Sequence, residues 1–315
     1  MNTKKVVITG ANSGIGKAAA IKFASEGFQV IMACRNMKKG KNAREEVISQ
    51  SGTDNVDLIK LDVSSFDSIR RFNEEYRDRY DIPDNLIHNA AYFNHGEKEY
   101  QESADNIELT FATNVLGPFM LIEIFKDLLE KSDDPRILNA CSTNIKHFFD
   151  PKRQIEFDNL QGEFRDSRPY SVYKLYSDSK IALLMLTFRW AEEFRSHGIK
   201  VNAVMISNIR NEWQSIKKVR SWYRVAAALQ NLIAAPATMM ADVYYHICTS
   251  EEFKNVSGKL INHRKEIVQC SKLNDNAGFL AVAREIKNGK TYPKYAETRE
   301  VQESVWNLCR NLIEE

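Results

Sequence analysis

The chain has 315 residues, 43% of them hydrophobic and 27% charged, a globular balance that excludes a disordered, collagen-like or coiled-coil protein. Its 44 Lys+Arg and 42 Asp+Glu leave a net charge of +2, so no global field draws in nucleic acid or an anionic membrane. The length fits two domains of about 150 residues each, or one α/β domain of about 250 residues with an extension.

Strand-like and helix-like segments alternate over the first 205 residues. The pattern predicts a strand over 6–9, a helix over 15–26 stopped by Gly27, a strand over 28–34 and a charged helix over 37–50. A strand over 56–61, a helix over 66–80 and a short strand over 85–88 follow. Next comes a long helical stretch over about 104–131, interrupted near Gly117-Pro118. A strand over 136–141, an irregular polar stretch over 144–168, a helix over 173–197 stopped by Gly198, and a strand over 199–205 complete the alternation. Later, 236–250 reads as a helix, 256–262 as a last strand, 287–295 as a solvated connector and 297–313 as a closing helix. Strands alternating with helices imply βαβ units, hence a doubly wound, mostly parallel sheet of Rossmann type.

Five cysteines (34, 141, 248, 270, 309) are an odd number without CxxC spacing, which argues against a disulfide framework and a zinc ribbon and fits a reducing cytoplasm. No segment approaches the ~18 apolar residues of a membrane helix. The first apolar run, Val6 to Ile8, is too short for the core of a signal peptide. His88, His95 and His147 lack metal-ligand spacing, so no metal site is expected.

Four features carry chemistry. Thr9-Gly10-Ala11-Asn12-Ser13-Gly14-Ile15-Gly16 follows a strand and opens a helix, the context of a dinucleotide-binding turn. Glycines let the backbone approach a pyrophosphate, and the helix N-terminus supplies amides and partial positive charge. The next strand ends in Arg35-Asn36, where an acid would select NAD. Arginine there, with Lys38 and Lys39 behind it, suits a 2′-phosphate and favours NADP over NAD. Tyr176 and Lys180 lie four apart on one helix face, a spacing at which the ammonium should depress the phenol pKa. Tyr170 and Lys174 repeat that spacing at the helix edge; Tyr176 is preferred because it leads into the apolar run Ile181 to Leu186. Ser142 follows an apolar strand, where open α/β sheets bind ligands; equally, it could cap a turn.

Together these features resemble the short-chain dehydrogenase/reductase family over roughly residues 4 to 262. The resemblance implies a tetrad of Asn114, Ser142, Tyr176 and Lys180. It implies adenine contacts at Asp62 and Val63, and cofactor contacts at Asn89 and Ala90. Ala33 to Met37, Asn114 to Phe119 and Val256 to Lys259 look like the branch holding retinol dehydrogenases, WW-domain oxidoreductases and protochlorophyllide reductase. Departures are visible: Ile206-Ser207 stands where the family has Pro-Gly, and Asn211 where it has a nicotinamide-contacting threonine. Ser207 and Asn211 are nonetheless the cofactor candidates there. The first strand begins by residue 5, so no N-terminal membrane anchor is expected.

The implied organisation is a catalytic Rossmann domain over 1–262 and a helical extension over 263–315. Residues 207–235 read as a lid. Its Trp213, Trp222 and Tyr223, with Arg220 and Arg224, read as an apolar substrate cover rather than a nucleic-acid stacking surface. The basic residues at 217, 218, 220 and 224 could also meet a membrane surface or an acidic group on the substrate. The expected activity is NADP(H)-dependent hydride exchange between a carbonyl and an alcohol on a lipophilic or ring-containing small molecule. A C=C reductase and a non-catalytic cofactor-binding scaffold are the alternatives. Family resemblance also implies a homodimer or tetramer.

Overall fold

The computed structural model describes residues 3–94, 99–146, 152–164, 166–206, 234–273, 277–288 and 290–314. Its sheet is built from β1 (Lys5–Thr9), β2 (Gln29–Cys34), β3 (Val56–Lys60), β4 (Asn85–His88), β5 (Arg136–Ser142), β6 (Lys200–Ile206) and β7 (Leu260–Ile261). The strand order is β3-β2-β1-β4-β5-β6-β7 and every pairing is parallel. A parallel sheet needs cover on both faces, which is why the central strands are apolar throughout rather than alternating. Val7, Leu86 and Ala203 face one core, while Ile8, Ile87 and Val204 face the other. The expected Rossmann architecture is therefore the one observed.

On one side lie α1 (Gly14–Ser25), α2 (Met37–Ser51) and α6 (Ala237–Thr249). On the other lie α3 (Phe66–Arg79), α4 (Leu109–Leu129) and α5 (Val172–Glu193). The order reverses between β1 and β4, so their carboxyl ends open the crevice where such sheets bind ligands.

Helix α4 departs from expectation twice. It starts at Leu109, where buried Glu108 accepts from the Phe111 amide at 2.7 Å and so caps it. It is not broken at Gly117-Pro118. Instead Ala112–Leu116 are wound as a π-helix, and the chain continues as α-helix through Leu129. Proline has no amide to give to the i−4 carbonyl, and the wider π turn absorbs that loss. Gly117 is obligatory for another reason: a Cβ there would sit 2.1 Å from the Val63 carbonyl oxygen. This 21-residue helix is also long and apolar enough by composition to cross a membrane, a test that a buried core helix passes as well. Its most apolar stretch is 78% buried, because it is packed between the sheet and the C-terminal helix.

The C-terminal region shares the main core. β8 (Gln269–Cys270) pairs with β9 (Thr291–Tyr292), flanking α7 (Phe279–Asn288), and α8 (Arg299–Glu314) closes the chain. Trp306 of α8 packs edge-on to Phe119 (5.1 Å) and Trp190 (6.1 Å), covering parts of α4 and α5. The segment read as a solvated connector is partly structural: Tyr292 is buried and its ring meets Phe188 at 5.5 Å. The strand expected over 256–262 is only Leu260–Ile261.

Candidate active site

The Gly-rich turn joins β1 to α1 under tight steric control. Gly10 has φ +66°, and a Cβ there would meet Ala90 Cα at 3.0 Å. A Cβ on Gly16 would lie 2.5 Å from Asn89 Nδ2 and from the Gly10 carbonyl oxygen. Thr9, the first residue of the motif, welds the turn to the end of β4. Its hydroxyl accepts from the amides of Asn89 and Ala90, both at 3.0 Å. Asn89 Nδ2 donates to the Thr9 carbonyl at 3.0 Å. Asn89 and Ala90 are thus framework for the cofactor cradle. Ser13 caps α1 with extended backbone and makes no side-chain bond to the helix, so Asn12, Ser13, Gly14 and Ile15 present a helix N-terminus at the crevice. The residues fit a dinucleotide because glycine alone fits positions 10 and 16.

At the adenosine end, Arg35 is exposed and its Nε stands 3.9 Å from Asp62 Oδ2. Asp62 Oδ1 accepts from the Ser64 amide and hydroxyl at 3.1 and 2.7 Å, which holds the turn through Val63. Asn36 accepts from the Lys39 amide at 3.0 Å and caps α2. Ser207 and Asn211, with the rest of the expected lid, lie outside the described residues, as do His95 and His147.

The tetrad residues come together at the carboxyl ends of β4 and β5. Lys180 is buried and donates from Nζ to the Ala140 carbonyl at 2.8 Å. Burial pulls its ammonium down to about 8. Its Nζ lies 5.9 Å from the centre of the Tyr176 ring. Tyr176 is pushed up to about 12 by burial, and a hydrogen bond with Ser142 opposes that shift. The expected depression of the phenol by Lys180 is therefore not observed here: desolvation dominates the phenol, and the ammonium is directed at the Ala140 carbonyl. Ser142 also accepts from the Asn144 amide at 3.2 Å, so it caps the turn after β5 as well as standing beside Tyr176.

Asn114 lies on the π turn of α4, fully buried. Its Oδ1 accepts from the Tyr92 amide at 2.8 Å, and its Nδ2 donates to the Tyr92 carbonyl at 3.1 Å and to Ser179 Oγ at 3.0 Å. Ser179 in turn donates to the Tyr176 carbonyl at 2.7 Å. This clamp fixes the segment after β4 against α5. Phe93 consequently stacks on Tyr176 with centroids 4.2 Å apart and planes at 22°. Sequence reasoning missed Phe93, Ser179 and the core position of His88. Burial and the nearby Lys180 charge push His88 down to about 3, so it stays neutral. The rival Tyr170 is structural: it donates to Glu108 at 2.8 Å, beside the cap of α4, and Lys174 is exposed.

Comparison with known proteins agrees with this geometry. A family profile described as short chain dehydrogenase matches residues 4–149. Human retinol dehydrogenase 13 is 29% identical across 84% of this chain and 77% of its own. Mouse retinol dehydrogenase 11 is 31% identical across 70% of this chain and 66% of its own. Chicken WW domain-containing oxidoreductase is 28% identical across 84% of this chain and 62% of its own. Among solved structures, one from Mycobacterium paratuberculosis superimposes with TM-score 0.68 at 22% identity, covering 99% of this chain and 93% of its own. One from Shigella flexneri, complexed with NADP, gives TM-score 0.64 at 19% identity, covering 84% of this chain and 98% of its own. The chain is an oxidoreductase of the short-chain dehydrogenase/reductase family, in its retinol dehydrogenase-like branch.

Proposed function

We propose that the chain uses NADP(H) to exchange a hydride with the carbonyl or alcohol carbon of a lipophilic, ring-bearing small molecule. The observation that carries this is the cluster at the end of β5: buried Ser142 and Lys180 beside half-buried Tyr176, with the Lys180 ammonium behind the phenol ring. The cofactor, when bound, supplies or accepts the hydride at its nicotinamide. The Gly10 to Gly16 turn would hold its pyrophosphate, Arg35 its 2′-phosphate, and Asp62 and Val63 its adenine. Lys180 would reach its nicotinamide ribose.

The chain's own residues do the proton chemistry. Ser142 orients the substrate oxygen. Tyr176, held up to about 12, is protonated at neutral pH, the state a proton donor to a carbonyl oxygen needs. Lys180 places positive charge behind the phenol and stabilises the phenolate that donation leaves. Asn114 fixes Tyr92 and hence Phe93, whose ring shields one face of Tyr176. The ring of Phe93 against Tyr176 supports a ring-bearing substrate, as do relatives named for retinol. The exposed Arg35 and the NADP in the Shigella structure support the cofactor choice. Five free thiols, four of them buried, support a reducing compartment such as the cytoplasm.

Thermal shift with NADPH and NADH, followed by NADPH oxidation against ketones, aldehydes and enones, tests the reading. A larger shift with NADPH and turnover of carbonyls are expected. Turnover of enones alone moves the activity to C=C reduction. No shift with either nucleotide makes the chain a scaffold and overturns the proposal.

A further inference from the structure

A second cavity, of about 160 Å³, lies between the segment after β5 and the C-terminal region. Its wall includes none of the tetrad residues. Lys146, Lys152 and Lys294 line it, facing the single carboxylate of Glu285. That carboxylate accepts from Ser271 Oγ at 2.5 Å and Thr291 Oγ1 at 3.3 Å; it acts on the Lys146 ammonium as a nearby charge but makes no hydrogen bond to it. Arg153 also borders the cavity, but its guanidinium is committed to Asp178 at 2.5 and 2.6 Å.

Lys146 is the unusual member. It is only 6% exposed, and among the described residues its one hydrogen bond is a 3.5 Å contact with Thr291 Oγ1, at the limit of the range. An ammonium carries three donors, and a buried one without a full set of acceptors is costly. Burial accordingly holds Lys146 down at about 8. Leu273, Val282 and Tyr292 give the same cavity an apolar wall. The volume is far above the ~10–15 Å³ that one water needs.

We propose that this cavity is a binding site for a small organic carboxylate. Its acid group pairs with Lys146, its apolar body lies against Tyr292, and Lys152 and Lys294 stand around it. The site is distinct from the active site, yet Arg153 ties it to Asp178, two residues after Tyr176 on α5. A carboxylate supplies the acceptors that the buried ammonium lacks, whereas a neutral amide of the same shape does not bring the charge.

Calorimetric titration of the full chain with benzoate, and with benzamide as its neutral isostere, tests this. Saturable benzoate binding is expected, with benzamide much weaker. Lys146→Met should weaken benzoate at least about tenfold, as loss of a charge-assisted bond implies, and Tyr176→Phe should leave it unchanged. No saturable benzoate binding overturns the proposal, as does equal binding by wild type and Lys146→Met. Loss of binding in Tyr176→Phe assigns benzoate to the active site and also overturns it. If Lys146→Met does not fold, the double variant Lys152→Gln/Lys294→Gln must bind benzoate several-fold more weakly; unchanged affinity there refutes the site.

Discussion

Two faces of one helical turn, Tyr176 to Lys180, handle buried polarity in opposite ways. Tyr176 and Lys180 share the face toward the sheet's carboxyl edge, where burial pushes the phenol up to about 12 and the ammonium down to about 8. Asp178, about 200° around the helix from Tyr176, is buried but receives a two-pronged bond from Arg153. One face leaves charge incompletely compensated, and the other compensates it fully. Compensated polarity holds the fold together, whereas uncompensated polarity is poised to exchange protons or meet a ligand.

The largest effect that probes this contrast is on the structural face. Arg153→Leu strands the Asp178 carboxylate and should cost about 3–5 kcal/mol in chemical denaturation. Replacing both partners with apolar residues should recover part of that loss. Equal instability in the single and double variants would show that the pair is not what the face depends on.

The catalytic face should behave differently. Lys180→Met should lower turnover at least about a hundredfold, yet remove a destabilising desolvated charge. The folded pKa of Lys180, about 8, lies below its ordinary 10.5. The unfolded chain therefore binds more protons between those values, and this group's destabilising contribution is relieved as pH rises through that window. Unfolding free energies from pH 7.5 to 10.5 should show that rise in wild type and a flatter profile in the variant.

Smaller effects sharpen the same division. Arg35 is mostly exposed, so Arg35→Ser should leave stability alone and weaken NADPH about tenfold relative to NADH. Titration of both nucleotides by fluorescence measures it. Ser179→Ala removes the link from Asn114 to the Tyr176 carbonyl and should cost about 1 kcal/mol in denaturation.

Local chemistry was legible in the sequence, and long-range burial was not. The Gly10 to Gly16 turn, the Ser142 strand end and the Tyr176/Lys180 spacing are written in neighbouring residues, so the doubly wound parallel sheet and the grouping of Ser142, Tyr176 and Lys180 at its edge could be anticipated. The direction of the Tyr176 shift could not, because it depends on the desolvation around the phenol, including a ring 83 positions away in the chain, Phe93. The Arg153–Asp178 pair spans 25 positions and carries no motif. Tyr292 read as solvated because its burial comes from docking on Phe188, which no local pattern announces. An interruption near Gly117-Pro118 was legible because proline marks where a helix must adjust, but that the adjustment is a π turn over Ala112–Leu116 was not.

The central claim is that Tyr176, and not the equally spaced Tyr170, moves the proton. Single-turnover NADPH oxidation with the best carbonyl substrate, compared in Tyr176→Phe and Tyr170→Phe, tests it directly. The account predicts a fall of about 10²–10⁴-fold for Tyr176→Phe with NADPH affinity retained. It predicts near wild-type turnover, with lowered thermal stability, for Tyr170→Phe, whose hydroxyl serves Glu108. Near wild-type turnover in Tyr176→Phe, or a comparable collapse in a folded Tyr170→Phe, would contradict it.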